Sequence, residues 1–199
     1  MRLEFLVEEP SIEVALKNLV PKIIDAEIRI HAFQGKQDLM QNLLARLKGY
    51  KNYIDESYRI FVVVDRDNDK CQELKYKLEN IAREAGLLTK SATKETNYQV
   101  INRIAIEELE AWFFGDVQAI RAIYPKISPN IAHQEKYRDP DAITGGTAEA
   151  LEKILKDKKY YTRMPKIEVA RNISTHMDPE RNTSKSFQVF RDALKDLEK

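Results

Sequence analysis

The amino-acid sequence predicts an α/β fold: a mostly parallel sheet of four strands with flanking helices, followed by a C-terminal helical extension. Three observations predict it. Four β-type segments alternate with segments of helical periodicity, which favours a parallel sheet with right-handed crossovers. The third segment, Phe61–Val64, is an uninterrupted apolar run, typical of a strand buried on both faces. Charged residues follow all four segments, at the strand ends where parallel sheets bind ligands.

Length and composition indicate one medium domain with a modest helical addition. The chain has 199 residues, 33% of them charged, and a net charge of +1. We expect an α/β domain over residues 1–125 and a loop and helical extension over 126–199 packed on it. No apolar run reaches membrane-spanning length, the first residues do not resemble a signal peptide, and a single cysteine excludes an internal disulfide framework. These features favour the cytoplasm.

The first predicted strand, Leu3–Val7, ends in two acids. Glu8 and Glu9 precede Pro10, which fits the first turn of a helix that ends near Pro21. Acids at a helix N-terminus are also favoured by the helix dipole, so this pair alone has a structural explanation.

The second predicted strand, Glu27–Phe33, leads into a Gly35-Lys36 turn and a helix through Leu47. Lys36 is placed to reach the side of the sheet where the strands end. A solvated loop lysine is the simpler interpretation, because Gly-Lys alone is far from a phosphate-binding loop. His31 is interpreted as a packed or surface residue.

The third strand runs into Asp65, Asp67 and Asp69, before a helix that begins near Lys70 and ends at Gly86. An extended chain would turn Asp65 and Asp67 to opposite sides, whereas a bend after Asp65 would bring them to one cation. Oxygen ligands of this kind suit Mg²⁺ or Mn²⁺. The alternative is an acidic turn that caps the following helix.

The fourth predicted strand, Tyr98–Ile106, also ends in acids, among them Glu108 and Glu110. Asp116 is expected to cap the next helix. Residues 126–146 are interpreted as a long loop able to act as a lid or hinge, and helices are predicted near 147–155, 166–177 and 186–198. Residues 150–199 hold 12 Lys/Arg against 8 Asp/Glu, an excess that permits nucleic-acid contact without arguing for it.

Two motifs carry a resemblance to a known family. Glu8 after the first strand and Asp65-x-Asp67 after the third resemble the signature of the Toprim domain, an α/β metal-binding fold of topoisomerases, bacterial primases and OLD nucleases. The whole chain looks like the Toprim-like family catalogued as domain of unknown function 4276. The matching segments are Phe5–Ser11, Gly35-Lys36, Val64–Cys71, Glu108–Trp112 and Arg181–Phe187. Toprim proteins usually carry glycine where this chain has Glu9.

The resemblance implies a Mg²⁺- or Mn²⁺-dependent, nuclease-like enzyme that acts on nucleic acid. Glu8, Asp65 and Asp67 would hold the metal, and Glu9, Glu108 or Glu110 would supply further ligands. Lys36 or Lys166 would assist catalysis, and Arg181 and Lys185 would contact nucleic acid. A neighbouring ATPase of the ABC or SMC type, as in antiphage defence systems, is the implied partner.

Two other functions stay open. One is a non-catalytic, metal-binding sensor or regulator of an ATPase. The other is a sugar-nucleotide transferase of the Asp-x-Asp type, for which the chain is short and Glu8 would have no explanation.

Overall fold

The computed structural model describes residues 1–198, and it confirms the predicted α/β fold class. The sheet has the strand order β2-β1-β3-β4. Its strands are β1 (Arg2–Val7), β2 (Glu27–Ala32), β3 (Tyr58–Asp65) and β4 (Val100–Ala105). β1 pairs in parallel with both β2 and β3, so the ends of β1 and β3 are neighbours.

Eight α-helices lie within the described residues. They are α1 (Pro10–Leu19), α2 (Lys36–Lys51), α3 (Cys71–Glu84), α4 (Glu110–Phe114), α5 (Val117–Ile123), α6 (Thr147–Asp157), α7 (Lys166–His176) and α8 (Lys185–Lys195). The short helix α4 was not predicted, since five residues are too few to show a helical period. None of these helices is both long enough and apolar enough to cross a membrane.

The chain divides into two compact units. The first contains Met1–Glu13 and Asp25–Ile104, and the second contains Val14–Ile24 and the chain from Ala105 onward. This division comes earlier than the predicted boundary at residue 125, because α4 and α5 group with the later helices. The assignment of domains 1–125 and 126–199 stays a prediction.

The core of the first unit explains the apolar run in β3. Val62 and Val64 belong to a buried cluster with the apolar faces of α2 and α3, which includes Leu43 and Leu78. Phe61 alternates with these valines and stacks on Phe5 of β1, with ring centroids 5.0 Å apart. The strand is therefore buried on both faces, which removes the polar alternation seen in half-exposed strands.

The core of the second unit is organised around Trp112 of α4. Its ring packs against Phe187 and Phe190 of α8, at centroid distances of 5.3 and 5.0 Å. Its indole N–H donates to Ser186 Oγ at 3.0 Å, which satisfies a buried donor.

The predicted loop 126–146 contains three short 3₁₀ helices, Pro129–His133, Glu135–Tyr137 and Pro140–Ala142. The Asp141 carboxylate anchors it to the start of α8, where it accepts hydrogen bonds from the hydroxyls of Ser184 and Ser186 at 2.9 and 2.7 Å. A role as a lid or hinge stays a prediction.

Candidate metal centre

Two buried carboxylates lie at the neighbouring ends of β1 and β3. The strand register aligns Val7 with Val63, so Glu8 and Asp65 emerge at the same edge of the sheet. Glu8 Oε2 accepts a hydrogen bond from the backbone N–H of Asp65 at 3.2 Å. The two residues are only 7% and 5% exposed.

Lys36 reaches this edge from the turn after β2. The turn is tied to β1, since the Gly35 N–H donates to the carbonyl of Glu8 at 2.7 Å. Gly35 has a φ of 101°, which favours glycine. Lys36 then begins α2, and its Nζ lies 2.6 Å from Asp67 Oδ2 and 3.0 Å from Asp69 Oδ2. The solvated-lysine interpretation is wrong, because the Lys36 side chain is only 19% exposed.

The chain bends directly after Asp65, as the metal hypothesis required. Asp67 has a φ of 48°, a left-handed conformation that aspartate tolerates better than most residues. Asp69 does not cap α3, although the alternative of an acidic capping turn would require a cap from the last acid before the helix. The N-cap position is Lys70, with no side-chain cap, and Asp69 is bonded to Lys36 instead.

The electrostatics of the cluster are dominated by burial. Burial raises the pKa of Glu8 to about 7, with additions from Asp67 and Glu9, and against the opposing effects of the Asp65 N–H and Lys36. Burial alone would lower the pKa of Lys36, but its bonds to Asp67 and Asp69 outweigh it and the pKa is raised. A buried acid that resists ionisation at neutral pH is one that a nearby cation would stabilise.

The donor set fits a hard divalent cation in part. Glu8 and Asp65 offer carboxylate oxygens at one edge, and Mg²⁺ is usually held by one or two carboxylates with waters and substrate phosphate completing the shell. No group of three or more His, Cys, Asp or Glu side chains within residues 1–198 is arranged as a ready-made metal site. Asp67 is bonded to Lys36, so it would have to leave that ammonium group to join the other two.

The additional acids predicted as ligands have other contacts. Glu9 accepts a short hydrogen bond from the hydroxyl of Ser11, in the first turn of α1. In the second unit, Glu108 accepts hydrogen bonds from Ala148 N at 2.8 Å and Thr147 Oγ1 at 3.1 Å, which caps α6. Glu110 is the buried first residue of α4. Their roles as metal ligands stay predictions.

Of the cations predicted to act on nucleic acid, Arg181 is a partly exposed residue of the second unit that is paired with the buried Asp116. Its guanidinium donates to both oxygens of Asp116, at 2.8 and 2.7 Å. Asp116 also caps α5 through Ala119 N, so the predicted cap is confirmed. Lys185 and Lys166 are the exposed first residues of α8 and α7. The predicted roles of Lys185 in nucleic-acid binding and of Lys166 in catalysis stay predictions.

A polar cluster that sequence reasoning missed lies on β1 and β2. Glu4 is 3% exposed, and its Oε2 accepts from Tyr50 Oη and His31 Nε2, both at 2.9 Å. Arg46 can only donate, so His31 Nδ1, 2.9 Å away, is its acceptor and the ring proton is on Nε2. The available signal was an acid in the middle of an apolar strand.

Comparison with known proteins places the chain in a family. The model of the family described as Domain of unknown function (DUF4276) matches residues 7–197. The chain belongs to this family. It is also similar in structure to the C-terminal region of the Burkholderia pseudomallei OLD protein, at 17% identity and a TM-score of 0.50, over 96% of this chain and 98% of that chain. That similarity concerns the α/β fold alone. No curated protein matches the sequence.

Proposed function

We propose that this member of the DUF4276 family is a nuclease-like enzyme that uses a divalent cation to process phosphodiesters in nucleic acid. The observation that carries the proposal is the pair of buried carboxylates, Glu8 and Asp65, joined at neighbouring strand ends. Burying two acids together is costly unless a cation offsets their charge.

Each residue of the cluster has a proposed role. Glu8 and Asp65 would hold Mg²⁺ or Mn²⁺, with Asp67 as a third ligand once it is released from Lys36. The bound cation supplies polarisation of a phosphoryl oxygen and a lowered pKa of bound water. Lys36, held at the same edge by Asp67 and Asp69, would stabilise the negative charge that develops on the phosphate.

One observation favours a second candidate, a non-catalytic metal-binding regulator of an ATPase. Lys36 already neutralises Asp67 and Asp69, so the cluster can persist as a stable ion-pair network without substrate. A regulator would bind the cation and cut nothing, which separates the two candidates by experiment.

The test is cleavage of supercoiled plasmid and of RNA with Mg²⁺ or Mn²⁺, with and without an ABC- or SMC-type ATPase encoded beside the gene. We expect cleavage by the wild type and a loss of at least about 100-fold in Asp65→Asn. Glu73→Gln, which changes an exposed acid of α3, is the matched control and should cleave normally.

Calorimetry with Mn²⁺ gives the second readout. Binding heat that Asp65→Asn loses, together with no cleavage under any condition, would favour the regulator. Equal cleavage by Asp65→Asn and the wild type would overturn the nuclease assignment.

A further inference from the structure

A concentration of positive charge lies in the second unit, across the end of α6 and the start of α7. Residues 153–171 hold seven Lys/Arg and two Asp/Glu, a net charge of +5, whereas the whole chain carries +1. All seven cations are exposed: Lys153, Lys156, Lys158, Lys159, Arg163, Lys166 and Arg171. We call these seven side chains the basic surface.

Six side chains of the basic surface differ from other cations of the same unit because they have no acidic partner among the described residues. Within residues 1–198, the six side chains other than Lys166 form no ion pair. By contrast, Arg181 is paired with Asp116, and Arg191 and Lys195 of α8 both contact Glu180. Unpaired like charges so close in the chain repel one another, so a polyanion would relieve the repulsion.

Helix dipoles explain only part of this arrangement. Lys156 lies in the last turn of α6 and Lys158 is its C-cap, where positive charge is favourable. Arg163 and Lys166 lie at the start of α7, where the exposed N–H groups and the dipole make positive charge unfavourable. An anion at that position would be attracted by both the helix end and the cations.

The start of α7 also borders a groove. It has a volume of about 670 Å³ and is lined by residues 163–168 and Arg171. The groove also has one acid, Glu168, which accepts a hydrogen bond from Tyr161 Oη at 2.9 Å. Three cations line the groove against this one acid, and two of them are arginines, whose planar donors match phosphate oxygens.

We propose that the basic surface binds the sugar-phosphate backbone of a polynucleotide. This inference rests on the proposed function for its choice of polyanion, because the bound polymer would be the substrate of the metal site. It is separate from the predicted contact through Arg181, whose guanidinium donates to Asp116.

The test measures binding without cleavage, so that it does not depend on the proposed activity. The full chain carrying Asp65→Asn is titrated in EDTA against short fluorescent duplex DNA, single-stranded DNA and RNA, from about 50 to about 200 mM salt. The surface variant adds Lys156→Gln, Lys158→Gln and Arg163→Gln. The matched control adds Lys51→Gln, Lys75→Gln and Lys94→Gln, three exposed lysines of the first unit.

We expect the surface variant to bind its preferred polynucleotide about 10- to 100-fold more weakly at about 100 mM salt. The magnitude of the slope of log affinity against log salt should fall by about 2 to 3, because binding through fewer phosphate contacts releases fewer counterions. The control should keep both affinity and slope. A thermal melt of all variants separates lost contacts from lost folding, and substitutions at exposed positions should leave it nearly unchanged.

Three results would overturn the inference: an unchanged salt slope in the surface variant, an equal loss in the control, or binding of phosphatidylserine vesicles or polyglutamate as tight as that of any polynucleotide. Failure of the nuclease assignment would look different. Binding and its salt slope would persist while the wild type cut nothing.

Discussion

Asp116 in the second unit and Glu8 in the first unit are buried acids with opposite surroundings. Asp116 accepts from Arg181 twice, from Asp178 N and from Ala119 N, and the half-buried Glu108 of the same unit accepts from Ala148 N and Thr147 Oγ1. In the first unit, the Glu8 side chain accepts a single hydrogen bond, at 3.2 Å, among the described residues. A satisfied buried acid stabilises a fold, whereas a poorly satisfied one costs free energy and indicates a ligand.

The largest expected effect is at Asp116, whose hydrogen bonds and ion pair should contribute to the free energy of unfolding. We expect Arg181→Ala to lower the free energy of unfolding by about 2–4 kcal/mol, because it leaves a carboxylate with a fully buried side chain without its charge partner. Urea denaturation checks this. Arg29→Ala, which removes an exposed pair with Glu27, should cost at most about 1 kcal/mol. Equal losses in the two variants would contradict a special role for Asp116.

Removing the charge of Glu8 should stabilise the protein in the absence of metal. The pKa of Glu8 is raised from 4.5 to about 7 in the folded state, so the folded protein binds more protons than the unfolded chain between these pH values. The contribution of this acid to stability is therefore lost as pH rises through that window. We expect Glu8→Gln to raise the free energy of unfolding by roughly 1–3 kcal/mol at about pH 8 in EDTA.

A measurement at low pH is the control for Glu8→Gln. At about pH 4 the wild-type acid is already neutral, so the two proteins should unfold together. Added Mn²⁺ should stabilise the wild type and leave Glu8→Gln unchanged. A less stable Glu8→Gln at about pH 8 would show that the ionised acid is satisfied after all.

The smallest expected effect is at Glu108, where a substitution should destabilise the protein, whereas Glu8→Gln should stabilise it. Glu108→Ala removes the acceptor at the start of α6, and we expect a loss of about 0.5–2 kcal/mol in unfolding free energy. Glu108→Gln keeps an acceptor oxygen and should recover part of that loss. If Glu108→Ala instead stabilised the protein as Glu8→Gln should, Glu108 would belong with the ligand-type acids, as the sequence suggested.

The strands and the acids at their ends were predictable because their signals are local. The β3 run is apolar on both faces, and Glu8, Asp65 and Gly35 occupy positions set by the end of a strand or by a required backbone conformation. Parallel pairing then places neighbouring strand ends together. The helix cap by Asp116 was predictable for the same reason, since it acts three residues away.

The partners of the charged groups were not predictable, because they lie far apart in the chain. Lys36 contacts Asp67 and Asp69 across about thirty residues, and Arg181 contacts Asp116 across 65. An acidic cluster looks the same in sequence whether its members bind a cation, cap a helix or hold a lysine. Asp69 holds Lys36 and Glu108 caps α6, although both belong to acidic clusters in the sequence.

By itself, the sequence determined the alternation of strands and helices, the burial of β3 and the presence of acids at the strand ends, since these depend on periodicity and backbone conformation. Only the tertiary structure decided which acids are satisfied and which cations are held by an acid. That decision depends on hydrogen bonds and ion pairs between distant segments, and it separates Glu8 from Glu108 and the basic surface from Arg181.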